Sequence, residues 1–328
     1  MRERLRPGGV VYVSYNCLPG GAPILPLRRL MTEVRKAHPG RSDQQLALAL
    51  DLLTKLKPAA YFAANPAAAA HFDDMLGKDP TYLVHEYLSE ASALFSFADV
   101  AALMTPAGVA YAASATLTDN IAVAVQDTLR PLVAQTRDPV LRETLRDFAT
   151  NKGFRRDIFA RDSTVLPPAE WRRALSGYRF ALAVPRSRLT FRFAGPVGEL
   201  LGHDDLYGPL ADALSHQPAS FDALLALPLF GEARIDLLVE CLALLAHSDQ
   251  VLPLAGPAPD AAPARRFNRM IAHRAREGRA YGYLAAPVAR TGIAVSEADL
   301  RALAAAFDGK GDDIGEAFFP LWRDLGVL

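Results

Sequence analysis

Ser14, Tyr15 and Asn16 are the first side chains in this sequence whose types and position could do chemistry. They end the apolar run Val10-Val11-Tyr12-Val13 and precede Leu18-Pro19-Gly20, so hydrocarbon gives way to hydrogen-bonding groups at the carboxyl end of a short strand. Ligands of open α/β sheets bind at such ends. A tyrosine face favours a cation, and an Asn or Tyr oxygen orients an N–H. A purely structural part also fits these residues, with Asn16 capping the strand-to-helix loop and Tyr15 packing.

Two further clusters stand out. His85, Glu86 and Tyr87 share one helical turn, so not all three face one pocket. His85 is a candidate substrate contact, with a satisfied structural histidine as the competing reading. His85-Glu86 begins like a zinc-protease motif, but position 89 is Ser and the second ligand is missing. Arg155-Arg156-Asp157 alternates along a strand and reads as an ion-pair network. There is no GxSxG and no CxxC, and the seven histidines are scattered, so hydrolase and metal chemistry drop out.

Composition narrows the class. The chain has 328 residues, 51% hydrophobic and 22% charged, enough for a large core and two domains. Lys+Arg and Asp+Glu are equal at 36 each, so no global basic field invites nucleic acid. Cys17 and Cys241 lie far apart, as in a reduced cytoplasmic protein. The start MRERLRPGG has no apolar segment behind its charges, and no uncharged apolar run reaches the ~20 residues of a membrane helix. The expectation is a cytoplasmic protein without membrane insertion.

The elements that must position these residues follow in order. Pro7-Gly8-Gly9 turns the chain into the first strand. Leu27, Leu30, Met31 and Val34 form a helical stripe that Pro39-Gly40 ends. Ser42-Asp43-Gln44-Gln45 predicts a capping box before a stripe at Leu46, Ala49, Leu50, Leu53 and Leu56. Asn65-Pro66 and Asp79-Pro80 open further helices, and Ser96–Met104 is a short one. Strand character returns at Gly108–Leu117 and Phe154–Ala160, around a helix from Asp138 to Thr150 with Leu141, Leu145 and Phe148 on one face. Beyond Pro167, Arg179–Val184 and Leu189–Phe193 predict a β-hairpin around Pro185. Three helices follow, at Asp204–His216, Ser220–Leu227 and Glu232–His247, and then the strand Val251–Leu254. The third helix has one Arg and two acids, so a DNA-reading part is not expected of it. Gly256–Pro263 is a Pro/Ala linker, followed by a basic helix at Arg265–Glu277, a small strand or loop near Tyr283–Val288, and a capped helix at Ser296–Phe307. The polar loop Asp308–Asp313 precedes a last segment with Phe318, Phe319 and Trp322.

The stretch L-R-P-G-G before a hydrophobic strand resembles the approach to the fifth strand of class I S-adenosylmethionine (SAM)-dependent methyltransferases. YVSYN-x-LPG is similar to members carrying a methyltransferase regulatory domain, among them bacterial lysine methyltransferases of outer-membrane proteins. Tyr111, Ser114, Ala115 and Asn120, and then Leu145–Arg161 (LRDFATNKGFRRDIFAR), resemble the closing part of the regulatory segment. Where the family has Trp after Pro-Gly, this chain has Gly21. The resemblance implies an α+β, mostly helical fold. Residues 1–22 would end the Rossmann-like methyltransferase sheet, 23–105 form an inserted helical regulatory block, and 106–165 carry the last sheet strands and helices. A hairpin and winged-helix-like domain would span 166–255, and a linker and helical segment 256–328. It implies SAM as cofactor of the complete fold and a protein lysine as methyl acceptor, with Ser14, Tyr15, Asn16 and His85 near the substrate. The SAM-binding Gly-rich loop and ribose carboxylate should precede the fifth strand, where only Met1–Arg4 stand before the turn. The expectation is a chain that binds no SAM alone and partners the missing methyltransferase half or a protein substrate. The rival from another class is a non-catalytic scaffold, its open sheet edge covered by homodimerisation.

Overall fold

The computed structural model describes residues 4–89, 93–196, 198–279, 281–310 and 313–328, the side chains of 313–317 excepted. Met1, Arg2 and Glu3, and Gly311 and Asp312 of the polar loop, lie outside the described residues. The chain divides into two units, residues 1–116 with 122–163, and residues 117–121 with 164–328.

The first unit begins with β1 (Val10–Asn16), entered through Gly8 at φ +72°. Helices α1 (Leu25–Ala37), α2 (Ser42–Leu56), α3 (Ala60–Ala64), α4 (Pro66–Leu76) and α5 (Pro80–Tyr87) follow. Their stripes meet in one core of Leu27, Met31, Val34, Leu46, Leu53, Phe62, Phe72 and Met75. Asp79 caps α5 by accepting the Thr81 and Tyr82 N–H groups. Ser42, by contrast, is already helical and makes no capping box. Arg41 is the N-cap, and the buried Gln45 amide reaches back to the carbonyls of His38 (2.9 Å) and Arg35 (3.4 Å). The end of α1, with carbonyls that no further turn can satisfy, outcompetes the box for that side chain.

Next come α6 (Phe97–Met104), capped by a Ser96–Asp99 box, β2 (Val109–Ser114), α7 (Arg130–Gln135), α8 (Pro139–Ala149) and β3 (Phe154–Arg161). The strands form one sheet in the order β1-β3-β2, both pairs antiparallel, with Val10 opposite Ala160 and Asn16 opposite Phe154. Val10–Val13 thus neighbour Ala160–Asp157.

One face of this sheet is covered and the other is open. Tyr15, Val109 and Phe159 pack with Phe97 and Val100 of α6 on the covered face. On the other face Val10 and Tyr12 are 61% and 56% exposed, with Ser14, Phe154 and Arg156 beside them. The edge of β1 is open too. Its Asn16 carbonyl and the Leu18 N–H bond Phe95, which fixes the even-numbered backbone groups as those facing away from β3. Along Val10, Tyr12 and Ser14 these groups have no strand partner among the described residues.

The second unit holds α9 (Pro168–Ser176), β4 (Tyr178–Leu182), β5 (Arg192–Gly195), β6 (Gly198–Leu201), α10 (Asp204–His216), β7 (Ala219–Ser220), α11 (Phe221–Leu225), α12 (Ile235–His247) and β8 (Val251–Ala255). The expected hairpin around Pro185 is absent. β4 lies between β7 and β8, and β5 pairs with β6 instead. Both edges of β4 are taken, and the Gln250 side chain accepts the Thr190 N–H at 2.7 Å, holding the connector aside. α12 is a core helix, burying Leu238, Cys241, Leu242, Leu244 and Leu245.

α13 (Ala262–Arg276), the hairpin β9 (Tyr283–Ala286) and β10 (Thr291–Ala294), α14 (Glu297–Phe307) and α15 (Asp313–Asp324) complete the chain. They close on Trp322, buried against Phe318 at 5.2 Å. The fully buried Asn268 of α13 fastens this region, bonding both the N–H and the carbonyl of Ala285 and the carbonyl of Val327.

Candidate functional site

Alternation along β1 splits the three candidate side chains between two faces. Tyr15 turns into the covered face and is 8% exposed, its hydroxyl donating to Asp157 Oδ2 at 2.7 Å. Burial first, and the bond to Asp157 second, push that hydroxyl far above the ordinary tyrosine range, so it stays protonated. Ser14 points to the open face and is exposed. Asn16 is half-buried, and its amide nitrogen donates to Glu86 Oε1 at 2.8 Å, tying the strand end to α5. The Asn16 side-chain oxygen, Oδ1, has no donor among the described residues.

His85 is exposed, lining a cavity of about 740 Å³ with Thr32, Arg35, Lys36, Gln45 and Ser89; Ser14, Tyr15 and Asn16 do not line it. The structure therefore joins Asn16 to Glu86 and Tyr15 to Asp157, and leaves His85 apart.

Beneath Tyr15 lies a buried charge cluster. Arg155 is 3% exposed and bonds Asp157 (2.9 Å), Asp147 (2.5 Å) and Glu143 (3.0 Å), all three carboxylates being buried. Its guanidinium stacks 4.5 Å from the Phe97 ring, and Tyr111 donates to Glu143 at 3.2 Å. Burial opposes the Arg155 charge, but the bond to Asp157 and the charge of Asp147 outweigh it and raise its pKa. One cation faces three carboxylates, so burial lifts Asp147 to about 7, against the pull of Arg155 and with the push of Glu143 and Asp157. Arg156 faces the other way, over the Phe154 ring at 5.0 Å. The ion-pair reading thus holds for Arg155 and Asp157. Glu143 and Asp147 were not legible as their partners, because the apolar stripe of α8 lies on the opposite face of the helix. Two of its three residues are exposed, Phe148 at 68% and Leu141 at 51%, and Leu145 is half-buried.

The two stretches with the strongest resemblance also meet. The Cys17 N–H donates to the Gly153 carbonyl (2.9 Å) and the Gly20 N–H to the Lys152 carbonyl (2.8 Å). A Cβ on Gly20 would stand 2.1 Å from the Asn151 carbonyl oxygen, and one on Gly21 would stand 2.6 Å from the Cys17 carbonyl oxygen. Gly20→Ala is therefore expected to destabilise by about 1–3 kcal/mol, because a backbone atom cannot swing aside as a side chain can. Urea unfolding of the purified variant checks this; an unchanged midpoint would refute the interlock.

Comparison with known proteins agrees with this arrangement. Residues 79–161, from α5 to β3, match the family model of a predicted methyltransferase regulatory domain. The sequence is 34% identical to the uncharacterized protein sll1526 of Synechocystis sp. over 227 residues, 68% of this chain. That match takes in 45% of sll1526, so less than half of the relative's length is represented. The fold is similar to PKMT2 of Rickettsia typhi, with TM-score 0.60, 14% identity, and coverage of 98% of this chain and 68% of that one. PKMT2 in complex with AdoHcy gives TM-score 0.58 at 15% identity, covering 97% and 68%. At such identity the likeness is one of fold. Together these findings relate the chain to methyltransferases.

Proposed function

We propose that this chain supplies the closing strands, regulatory block and C-terminal region of a SAM-dependent methyltransferase acting on protein lysine side chains. In this reading the catalytic unit is completed by a cofactor-binding half whose strands extend the sheet alongside β1. The observation that carries it is the sheet itself: one open edge at Val10, Tyr12 and Ser14, and one open face with exposed Val10 and Tyr12. Sheets built from crossover units are covered on both faces, and an uncovered edge invites pairing. PKMT2 has about a third of its length outside the matched region, room for such a half. In the C-terminal region, α10, α11 and α12 with β4, β7 and β8 form the winged-helix-like unit of this reading.

The residues along β1–β3 do not fit SAM by themselves: the one glycine pair after β1, Gly20-Gly21, lacks the G-x-G-x-x-G spacing and is packed against the Asn151 and Cys17 carbonyl oxygens, which leaves no room there for a phosphate-like or sulfonium ligand. The part of this chain is positioning. Transfer to a lysine needs a neutral, desolvated amine held in line. Asn16, its amide nitrogen fixed by Glu86, offers its side-chain Oδ1 to an amine N–H at the strand end, and Ser14 lies one pleat away on the same face. Tyr15 acts from behind, locking β1 onto the charge cluster, and His85 contacts a more distant part of the protein substrate.

Calorimetry with SAM tests this on the chain alone and on the chain joined to its upstream coding segment. No heat from the first and micromolar binding by the second is expected. Micromolar binding by the chain alone would overturn the division of labour. No binding in either form would favour the scaffold.

A further inference from the structure

The strongest unassigned feature is the basic helix α13. Its fifteen residues carry five arginines and one histidine and no acid. Arg276 and His273 are engaged by Asp308, at 2.7 and 3.5 Å. Arg265, Arg266, Arg269 and Arg274 are exposed and have no carboxylate partner among the described residues. Elsewhere on the surface Lys55, Arg172, Arg186 and Arg301 each sit against an acid.

Three of the unpaired arginines converge. Arg265, Arg266 and Arg269 line a cleft of about 430 Å³, whose other walls are Ala262, Ala306, Phe307 and Leu328. Arg269 is already oriented there, its guanidinium 4.9 Å from the Phe307 ring centroid. Arg265 and Arg269 lie one turn apart on the helix, and Arg266 flanks them. The nearby Asp260 is occupied by the Ala262 N–H at 3.0 Å. Guanidiniums left without carboxylates around a cleft repel one another, and a multivalent oxyanion relieves that repulsion while taking forked hydrogen bonds.

We propose that this cleft binds a phosphate group. Two sources share that chemistry: a soluble phosphate compound, and the headgroup of an anionic lipid. The same exposed side of α13 carries Phe267 and Met270, 49% and 42% exposed, close to Arg266 and Arg274. Apolar side chains among unpaired arginines are what an amphipathic helix presents to an anionic bilayer surface.

The experiment uses the full chain in two arms. One titrates inorganic pyrophosphate by calorimetry. The other sediments the protein with phosphatidylcholine vesicles, with and without phosphatidylglycerol. Binding in at least one arm is expected, weakening as salt rises. The triple variant Arg265→Gln, Arg266→Gln, Arg269→Gln should lose about tenfold or more in affinity, as expected for lost charge-assisted hydrogen bonds. These side chains are exposed, so the variant folds, and its thermal melt verifies that. Pyrophosphate binding alone assigns a soluble source. Binding only to phosphatidylglycerol vesicles, reduced by Phe267→Ser with Met270→Ser, assigns the lipid headgroup. No binding in either arm, or binding that the triple variant leaves unchanged, overturns the site, as does binding of duplex DNA without pyrophosphate.

Discussion

Arg155→Met is expected to cost about 3–5 kcal/mol at neutral pH, the usual effect of removing one partner from a buried ion pair. The reason is what remains. Asp157, Asp147 and Glu143 would be left in one buried site with Tyr15 and Tyr111 as their hydrogen-bond donors, and three carboxylates cannot all stay ionised there. Domains of ordinary stability hold about 5–15 kcal/mol in reserve, so the variant should sit near the edge of folding. Arg155→Lys should fall between, because a single ammonium cannot fork to three acceptors as the guanidinium does. Combining Arg155→Met with Asp157→Asn should cost less than the sum of the two single changes, since the second removes a charge the first has stranded. Urea unfolding followed by near-ultraviolet circular dichroism measures the four variants beside the parent. A midpoint for Arg155→Met within about 0.5 kcal/mol of the parent would show that the cluster does not hold the sheet.

That cluster also shows how far the sequence could be read. Helix starts were legible where a short polar side chain meets Pro or an acid at fixed spacing: Asp79, Ser96, Asp138 and Ser296 all cap as their local chemistry dictates. The strands Val10–Asn16, Val109–Ser114 and Phe154–Arg161 were legible because β-branched and aromatic residues run between turns. Where distant segments compete, local pattern was not enough. Gln45 left its expected box for the end of α1, and β4 took β7 and β8 in place of its chain neighbour. α8 is the sharpest case. Its apolar stripe was correctly placed on one face, yet the buried residues are Glu143 and Asp147 on the other. Periodicity reports which side chains share a face, and only the Arg155 guanidinium, arriving from β3, decides which face goes in. For the same reason Tyr15 and Asn16 were found as a pair by type, and the pleat then sent them apart. The motif LRDFATNKGFRRDIFAR carries much of the resemblance, and its Asp147, Arg155 and Asp157 turn out to build a buried framework under the strand end.

Asp147 should make the stability of the chain depend on pH in a direction opposite to most carboxylates. Burial lifts its pKa from 3.8 to about 7 in the folded chain, so between those values the folded state holds a proton that the unfolded state has released. The stability this contributes is fully present below the unfolded pKa and is lost as pH rises through 7. At about 1.4 kcal/mol per unit the window amounts to roughly 4 kcal/mol at most. Asp147→Asn imitates the protonated acid, since its amide oxygen can still accept from Arg155, and it cannot ionise. The variant should match the parent near pH 4, exceed it by a few kcal/mol at about pH 8, and flatten the profile between. Urea midpoints across that range decide the matter. A variant weaker than the parent at every pH, with the slope unchanged, would mean that the ionised carboxylate is the one Arg155 holds and that the excess charge is relieved at Glu143 or Asp157 instead.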